Sequence, residues 1–290
     1  GDQLLAASTP EAAFSPIVFS ALDTGPAREV EPAFAQAGAL VFSNAAAFRM
    51  DEDVPLLVPE VNGDHLGLLE VQRSRRGWRG GIVTNPNCTA TVLVMALAPL
   101  QAAFGIEAIH MTSMQAVSGA GYPGVASLDI LGSVVPFIRN EEAKVEEETP
   151  KLLGQFVSDR VELASMVVSA HCNRVPVLEG HTESVSLRLK GDPSPEQVQE
   201  ALRSWNPLAG HGLPTAPAVP IRVHDDEARP QVRKDVGQDG GMSVHVGRVR
   251  RCPLLGIKLT VMGSNTERGA AGASVLNAEW ARVKGSLSPQ

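Results

Sequence analysis

The tightest constraint on the fold is the alternation of short apolar runs with helical stretches early in the chain. Ile17 to Ala21 (IVFSA) is a short apolar run, Thr24-Gly25-Pro26 opens the next segment, and Ala27 to Ala37 is alanine-rich with helical composition. Gly38 ends that helix, Ala39 to Phe42 (ALVF) reads as a second buried strand, and Val54 to Pro59 (VPLLVP) reads as a third. Strands that alternate with helices in this way join as βαβ units and lie parallel in one sheet.

Farther on the pattern changes. After Asn85-Pro86-Asn87-Cys88, residues Thr89 to Phe104 form a largely apolar helical stretch, interrupted by Pro99 and closed by Gly105, that should be buried. Alternation at Ile106 to Met114, and at Val185, Leu187 and Leu189, predicts strands with one polar-lined side and a more antiparallel middle. The charged run Glu141 to Glu148 reads as a helix ending near Pro150, most of it a solvated face. Trp205 to Gly241, crowded with Pro, Gly and Asp, reads as a long surface loop before a strand at Ser243 to Arg248. Ile257 to Val261 is another strand, and Thr266 to Lys284 an alanine-rich helix able to pack closely through Gly269, Ala270 and Gly272. The predicted class is α/β: an incomplete Rossmann-like parallel-sheet domain plus an α+β domain with a mixed sheet.

At 290 residues, two domains are the natural expectation. No apolar run approaches the ~18 residues that span a bilayer, so a membrane partner is not expected. A net charge of -7 argues against a broad nucleic-acid footprint, while leaving small anionic ligands open. Cys88, Cys172 and Cys252 are odd in number and form no CxxC pair, which fits neither a disulfide framework nor a thiolate zinc site. A reducing, cytoplasmic setting with no metal centre is the expectation. The start, GDQLLAASTPEAAF, lacks the basic and apolar regions of a signal peptide.

Cys88 lies where Asn-Pro-Asn-Cys-Thr opens a helix. Unpaired backbone N–H groups and the positive end of the helix dipole there favour thiolate, although a buried, inert cysteine fits the same position. A thiolate nucleophile needs a partner that exchanges protons near neutral pH, usually histidine. Among seven histidines His181 stands out, because it closes Arg174-Val-Pro-Val-Leu-Glu-Gly-His181. Residues 119 to 124 fit GxGxxG formally, but Pro123 within and Ser118 before are poor for a phosphate cradle.

These segments resemble the aspartate-semialdehyde dehydrogenase family, especially its archaeal and fungal branch. The resemblance rests on Ser43-Asn-Ala-Ala-Ala-Phe-Arg49, Val58-Pro-Glu-Val-Asn62, Asn85-Pro-Asn-Cys88, the Met114 to Val125 block, Arg174 to His181, Val246-Gly-Arg-Val-Arg250 and Gly269-Ala-Ala271. It implies a two-step reaction in which Cys88 carries an acyl group as a thioester and NADP exchanges hydride with it. The substrates implied are aspartate semialdehyde and phosphate, with β-aspartyl phosphate as the partner acyl phosphate.

By the same resemblance His181 is the acid/base residue, Gln115 lines the substrate pocket, and Asn87 stands beside the nucleophile. Arg174 would hold the substrate carboxylate, Arg49 the phosphate, and Glu141 with Lys144, one helical face apart in sequence, the substrate amine and phosphate. The cofactor side falls to Ser20, Ser43, Ser118, Gly119 and Asn265. Residues 1–87 and 264–290 would form the NADP-binding domain and 88–263 the catalytic and dimerisation domain, in a homodimer or homotetramer.

The sequence departs from the family at one place: no glycine-rich GxTGxxG turn precedes Ile17. By the family's layout about 60 residues of a Rossmann half would be absent. Three other readings stay open at this point: an acyl-CoA reductase of malonyl-CoA type, a catalytically silent homologue, and a thiol hydrolase using Cys88 and His181.

Overall fold

A computed structural model describes residues 7–12 and 15–286. Two sheets organise the chain. The first is all parallel, in the order β1 (Ile17–Ser20), β2 (Leu40–Ser43), β3 (Gly81–Thr84). Helix α1 (Thr24–Ala37) connects β1 to β2 and ends on Gly38 in the left-handed region, so the expected βαβ unit forms. The short helix α2 (Pro59–Asn62) and α3 (Leu68–Arg76) lead to β3.

The third strand is therefore Gly81–Thr84, not Val54 to Pro59. That apolar run makes one bridge, Leu56 to Thr84. Pro55 has no N–H to give, and Pro59 fixes the first residue of α2, so the run cannot extend a ladder. It stays buried as an irregular segment against β3.

Helix α4 (Cys88–Ala103) follows β3 and is nearly encased: from Thr89 to Leu100 every residue is buried. Pro99 lies inside the helix and does not end it. Beside it lies the second sheet, built from β4 (Ile106–Gln115), β7 (Val167–Arg174), β8 (His181–Leu189), β9 (Ile221–His224), β10 (Val244–Cys252) and β11 (Gly256–Gly263). A small hairpin, β5 (Gln155–Val157) and β6 (Arg160–Glu162), stands apart. The six strands run in the order β7-β4-β8-β11-β10-β9, parallel at both edges and antiparallel between. The mixed character matches the alternation in the sequence. One core joins α4 to this sheet through Val92, Leu93, Ile109, Val185, Leu187 and Val261.

Short α5 (Ser127–Ile130) and α6 (Glu141–Leu152) come between β4 and β5. Helix α6 continues through Pro150 to Leu152, and Glu141, Glu148 and Lys151 are buried, so the solvated-face reading holds only for the opposite side. Helix α7 (Pro195–Arg203) starts with a capping box at Ser194 and Gln197. The stretch expected to be one long surface loop contains edge strand β9 and the short helix α8 (Val232–Asp235). Its Pro and Gly content hid a four-residue strand that pairs along β10. Last, α9 (Ala271–Val283) begins after the turn at Thr266 to Ala270 and packs Leu276, Trp280 and Ala281 onto the parallel sheet beside Leu40 and Phe42.

Candidate active site

Strand β3 delivers Asn85-Pro86-Asn87-Cys88 to the start of α4. Asn87 is the N-cap: its side-chain oxygen accepts the Ala90 N–H at 3.0 Å, which fixes the first turn and aims Cys88 out of it. The Cys88 sulfur lies 3.3 Å from Nε2 of His181, the first residue of β8. The backbone N–H of Ala116 donates to His181 Nδ1 at 3.2 Å. A backbone N–H can only donate, so Nδ1 is bare and the ring hydrogen is on Nε2, pointing at the sulfur. In this state the imidazole donates to Cys88.

The resting pair is neutral. Burial pushes the Cys88 thiol up to about 12, and the nearby Glu141 carboxylate adds to the shift, with Arg49 opposing it. Burial, then the Arg174 charge, brings His181 down to about 4. The expectation of a thiolate at rest is thereby corrected: the helix start does act on the thiol, but desolvation and Glu141 outweigh it. Forming imidazolium would also put a second N–H against the Ala116 N–H.

Arg174, at the end of β7, is buried and donates to the Ala116 carbonyl at 2.7 Å. Gly119 lies directly over both groups: a Cβ there would meet Arg174 Nη1 at 2.9 Å and His181 Cε1 at 3.1 Å. Only glycine lets the backbone approach this closely.

Glu141 collects donors. Its Oε1 accepts from Asn87 Nδ2 at 2.8 Å, Thr89 Oγ1 at 3.2 Å and Gln115 Nε2 at 3.2 Å, while Oε2 is 3.7 Å from Lys144 Nζ. Burial alone would raise this carboxyl, yet Asn87, Lys144, Gln115 and Thr89 together carry it below the usual carboxylate value. A charged carboxylate is thus held against the nucleophile.

Arg49 is buried. It donates to Glu148 Oε1 at 3.0 Å and to the Asn44 carbonyl at 2.9 Å. The other Glu148 oxygen accepts the Asn87 backbone N–H at 2.6 Å, so one carboxylate ties Arg49 to the N-cap of the nucleophile helix. Lys151, one helical turn on, donates to the carbonyls of Arg49, Asp51 and Val54 and fixes the loop that carries Arg49.

These groups open onto a cleft of about 560 Å³ whose lining includes Arg49, Asn87, Cys88, Ser118, Gly119, Glu141, Lys144 and Asn265. Asn265 donates to the Ser118 hydroxyl at 2.9 Å and accepts the Gly180 N–H at 2.8 Å, joining the cofactor-side candidates to the turn before His181. Gln115 and Arg174 stand behind this lining, in contact with it. Ser20 and Ser43 are not brought into the cleft by their side chains. Ser43 donates its hydroxyl to Glu31 at 2.6 Å, and Ser20 faces a separate cavity of about 160 Å³. Both do occupy the carboxyl ends of parallel strands, the edge at which open α/β sheets bind ligands.

Two groups had no place in the sequence reading. Glu148 closes a charged run that reads as a solvated face, Lys151 lies past the Pro150 near which that helix is expected to end, and only their spacing from Glu141 and Lys144 places them on the same face. Asn85, Ser274 and Asn277 form a buried amide and hydroxyl network that reaches the cleft lining at the half-buried Asn44, with Asn85 donating to Asn44 Oδ1 and Ser274 Oγ at 2.8 and 2.7 Å. The arrangement as a whole presents a thiol with a hydrogen-bonded imidazole, cationic groups for an anion, and a carboxylate for a cationic ligand group.

The profile described as "Semialdehyde dehydrogenase, NAD binding domain" matches residues 4–69, and "Semialdehyde dehydrogenase, dimerisation domain" matches residues 97–268. The chain is 55% identical over 263 residues to an aspartate-semialdehyde dehydrogenase of Archaeoglobus fulgidus, covering 91% of this chain and 76% of that one. It is 50% identical over 266 residues to the one from Methanothermobacter thermautotrophicus, with 91% and 76% covered. Among solved structures, the Candida albicans aspartate semialdehyde dehydrogenase with NADP superposes with a TM-score of 0.90 at 40% identity, covering 98% of this chain and 83% of that chain.

Proposed function

The chain belongs to the aspartate-semialdehyde dehydrogenase family, and on that premise we propose that it reduces β-aspartyl phosphate to aspartate semialdehyde through a thioester on Cys88. The observation that carries this reading is the Cys88–His181 contact of 3.3 Å in a cleft that also presents Arg49, Lys144 and Glu141.

In the reductive direction the Cys88 sulfur attacks the acyl carbon of the acyl phosphate, the C–O bond to phosphate breaks, and phosphate leaves toward Arg49 and Lys144. The thiol proton passes to an oxygen of the departing phosphate, and His181 Nε2–H stabilises the negative charge that this leaves on sulfur as it attacks. Arg174 pairs with the substrate α-carboxylate, and Glu141 with its ammonium group. NADP supplies the hydride carrier when bound. After reduction the oxyanion re-forms the carbonyl, the carbon–sulfur bond breaks, and the departing Cys88 sulfur takes the His181 Nε2 proton, which solvent then replaces. A thiol suits the role because its acyl derivative is activated toward hydride yet persists long enough to meet it.

The cleft fits such a cofactor in one respect that can be read directly: Gly119, Gly121, Gly269 and Ala270 line it, leaving the approach to Cys88 free of bulky side chains. Ser118, Gly119 and Asn265 would face the nicotinamide end, and Ser20 and Ser43 the strand ends. Residues 1–87 with 264–290 would hold NADP, and 88–263 would carry catalysis and dimerisation. Membership of the dimerisation-domain family supports an oligomer, and the exposed apolar residues Tyr122, Leu128, Leu131, Val134 and Phe137 favour a homodimer or homotetramer. No helix among the described residues is long and apolar enough to cross a membrane; we place the enzyme in the cytoplasm. The named relatives do not favour the acyl-CoA reductase, silent-homologue or hydrolase readings.

The test is to incubate the chain with aspartate semialdehyde, NADP and inorganic phosphate and follow the absorbance of NADPH formed. Turnover that requires phosphate is expected. NADPH formation that continues undiminished without phosphate, or that uses coenzyme A in its place, overturns the assignment.

A further inference from the structure

We propose that His224, His245 and Asp235 form a second ligand site, for a divalent transition-metal ion of the zinc class, on the far edge of the mixed sheet. The three residues come from β9, β10 and α8, and their donor atoms all lie within 4.8 Å of one another. Among the described residues no other group of three or more His, Cys, Asp or Glu side chains converges in this way. His224 Nε2 and His245 Nδ1 are 3.0 Å apart. Two ligands at ~2.0–2.1 Å from a tetrahedral ion are separated by about 3.4 Å, so the imidazoles already stand close to that span.

His245 is fully buried, and its Nε2 has no hydrogen-bond partner. A metal on Nδ1 leaves Nε2 as the hydrogen-bearing nitrogen, and His224 would carry its hydrogen on Nδ1, so both imidazoles bind in their neutral forms without net proton release. The charged groups around them are Arg222, Arg229, Asp225, Asp226 and Asp239. The two arginines oppose a cation, so affinity in the micromolar range rather than tighter is expected.

Asp235 is fully buried and oriented by Arg229, which donates to both carboxylate oxygens, and by the Gln231 N–H at 2.7 Å. Ligating carboxylates are commonly held in this manner. Gln238 Nε2, at 3.1 Å, is the contact that would yield to the ion. The site has a route to the active site. Val232, which opens α8, and Val236, just past its end, stand so close to Gly180, the residue before His181, that a Cβ there would meet them at 2.8 and 2.9 Å. A bound ion would fasten α8 to the sheet behind that turn.

The chain is first treated with iodoacetamide to cap Cys88, so that the Cys88–His181 pair takes no metal, and is then titrated with Zn²⁺ alone, with Mg²⁺ as comparison. One equivalent of Zn²⁺ binding in the micromolar range is expected, with affinity reduced at least about tenfold in His224→Asn and in His245→Asn. His224 is partly exposed, so His224→Asn carries the test if the His245 variant fails to fold. Absence of micromolar Zn²⁺ binding by the capped chain, or equal affinity in His224→Asn, overturns the proposal.

Discussion

Gly269 and Cys88 are in backbone-to-side-chain contact so close that a Cβ on Gly269 would lie 2.6 Å from the Cys88 Cβ. The nucleophile therefore has its position fixed from the opposite side by the turn that opens α9. Gly269→Ala should displace Cys88 from His181 and lower kcat by roughly a hundredfold, since misplacements of about 1 Å have that effect. The strain of the added methyl should reduce stability by about 1–3 kcal/mol. Steady-state kinetics and thermal unfolding check both; a variant within twofold of the parent in kcat shows that the contact is not limiting.

The neutral Cys88–His181 pair predicts how the free enzyme reacts with iodoacetamide. With the thiol raised to about 12 by burial and by Glu141, the alkylation rate should keep climbing with pH throughout the neutral and mildly alkaline range. A thiolate–imidazolium pair would instead give a flat rate from about pH 5 upward. A plateau in the measured profile would show that the pair is ionised at rest.

Glu148 links Arg49 to the Asn87 N–H, so its loss should separate effects on the anion from effects on folding. Glu148→Ala leaves a buried guanidinium and an N–H without their partner and should cost about 3–5 kcal/mol of stability. Glu148→Gln keeps an acceptor for one of the two donors. In the oxidative assay it should raise KM for phosphate several-fold with a smaller change in KM for aspartate semialdehyde. Equal changes in the two constants would argue that Glu148 only supports the fold.

Glu183 on β8 is fully buried, and neither carboxyl oxygen has a hydrogen-bond partner. Burial raises its pKa well above the ordinary value, and the neighbouring Glu141 charge adds to the rise. A carboxyl raised in the folded state binds a proton that the unfolded chain has released, so stability drains away as pH climbs above the unfolded value. Glu183→Gln removes this contribution. Its thermal midpoint should gain on the parent's progressively between about pH 5 and about pH 9, read by unfolding scans across that range. A constant difference at all pH values would mean that Glu183 does not titrate there.

Cys88 stands out in residue order because a helix start is a local feature, whereas His181 and Gln115 are placed by the resemblance of their blocks to the family. The parallel sheet was visible for a similar reason, since α1 and its flanking strands are set by local patterning. What stayed hidden depends on contacts across the chain. Glu148 reaches Arg49 over 99 positions and Asn87 over 61, and a helix stripe that buries charge looks the same in sequence as one that faces water. The ionisation of Cys88 depends on such contacts too: the helix dipole is local, whereas the burial that raises the thiol, and the Glu141 carboxylate that adds to it, come from the packed fold. Val54 to Pro59 had a strand's composition, but the two prolines deny it a strand's hydrogen bonds.

Helix α6 places Glu141, Lys144, Glu148 and Lys151 along one side, at intervals of three, four and three residues. At 3.6 residues per turn these lie within about 80° of one another, over roughly 15 Å of axis. The helix behaves as a fixed-length template: one end presents Glu141 and Lys144 to the cleft, the middle grips the nucleophile's cap, and the far end clamps the Arg49 loop. Inserting or deleting a single residue between Lys144 and Glu148 would turn the downstream half by about 100° and break the register among all three. In this stretch a substitution disturbs one contact, whereas a change of length disturbs all of them at once.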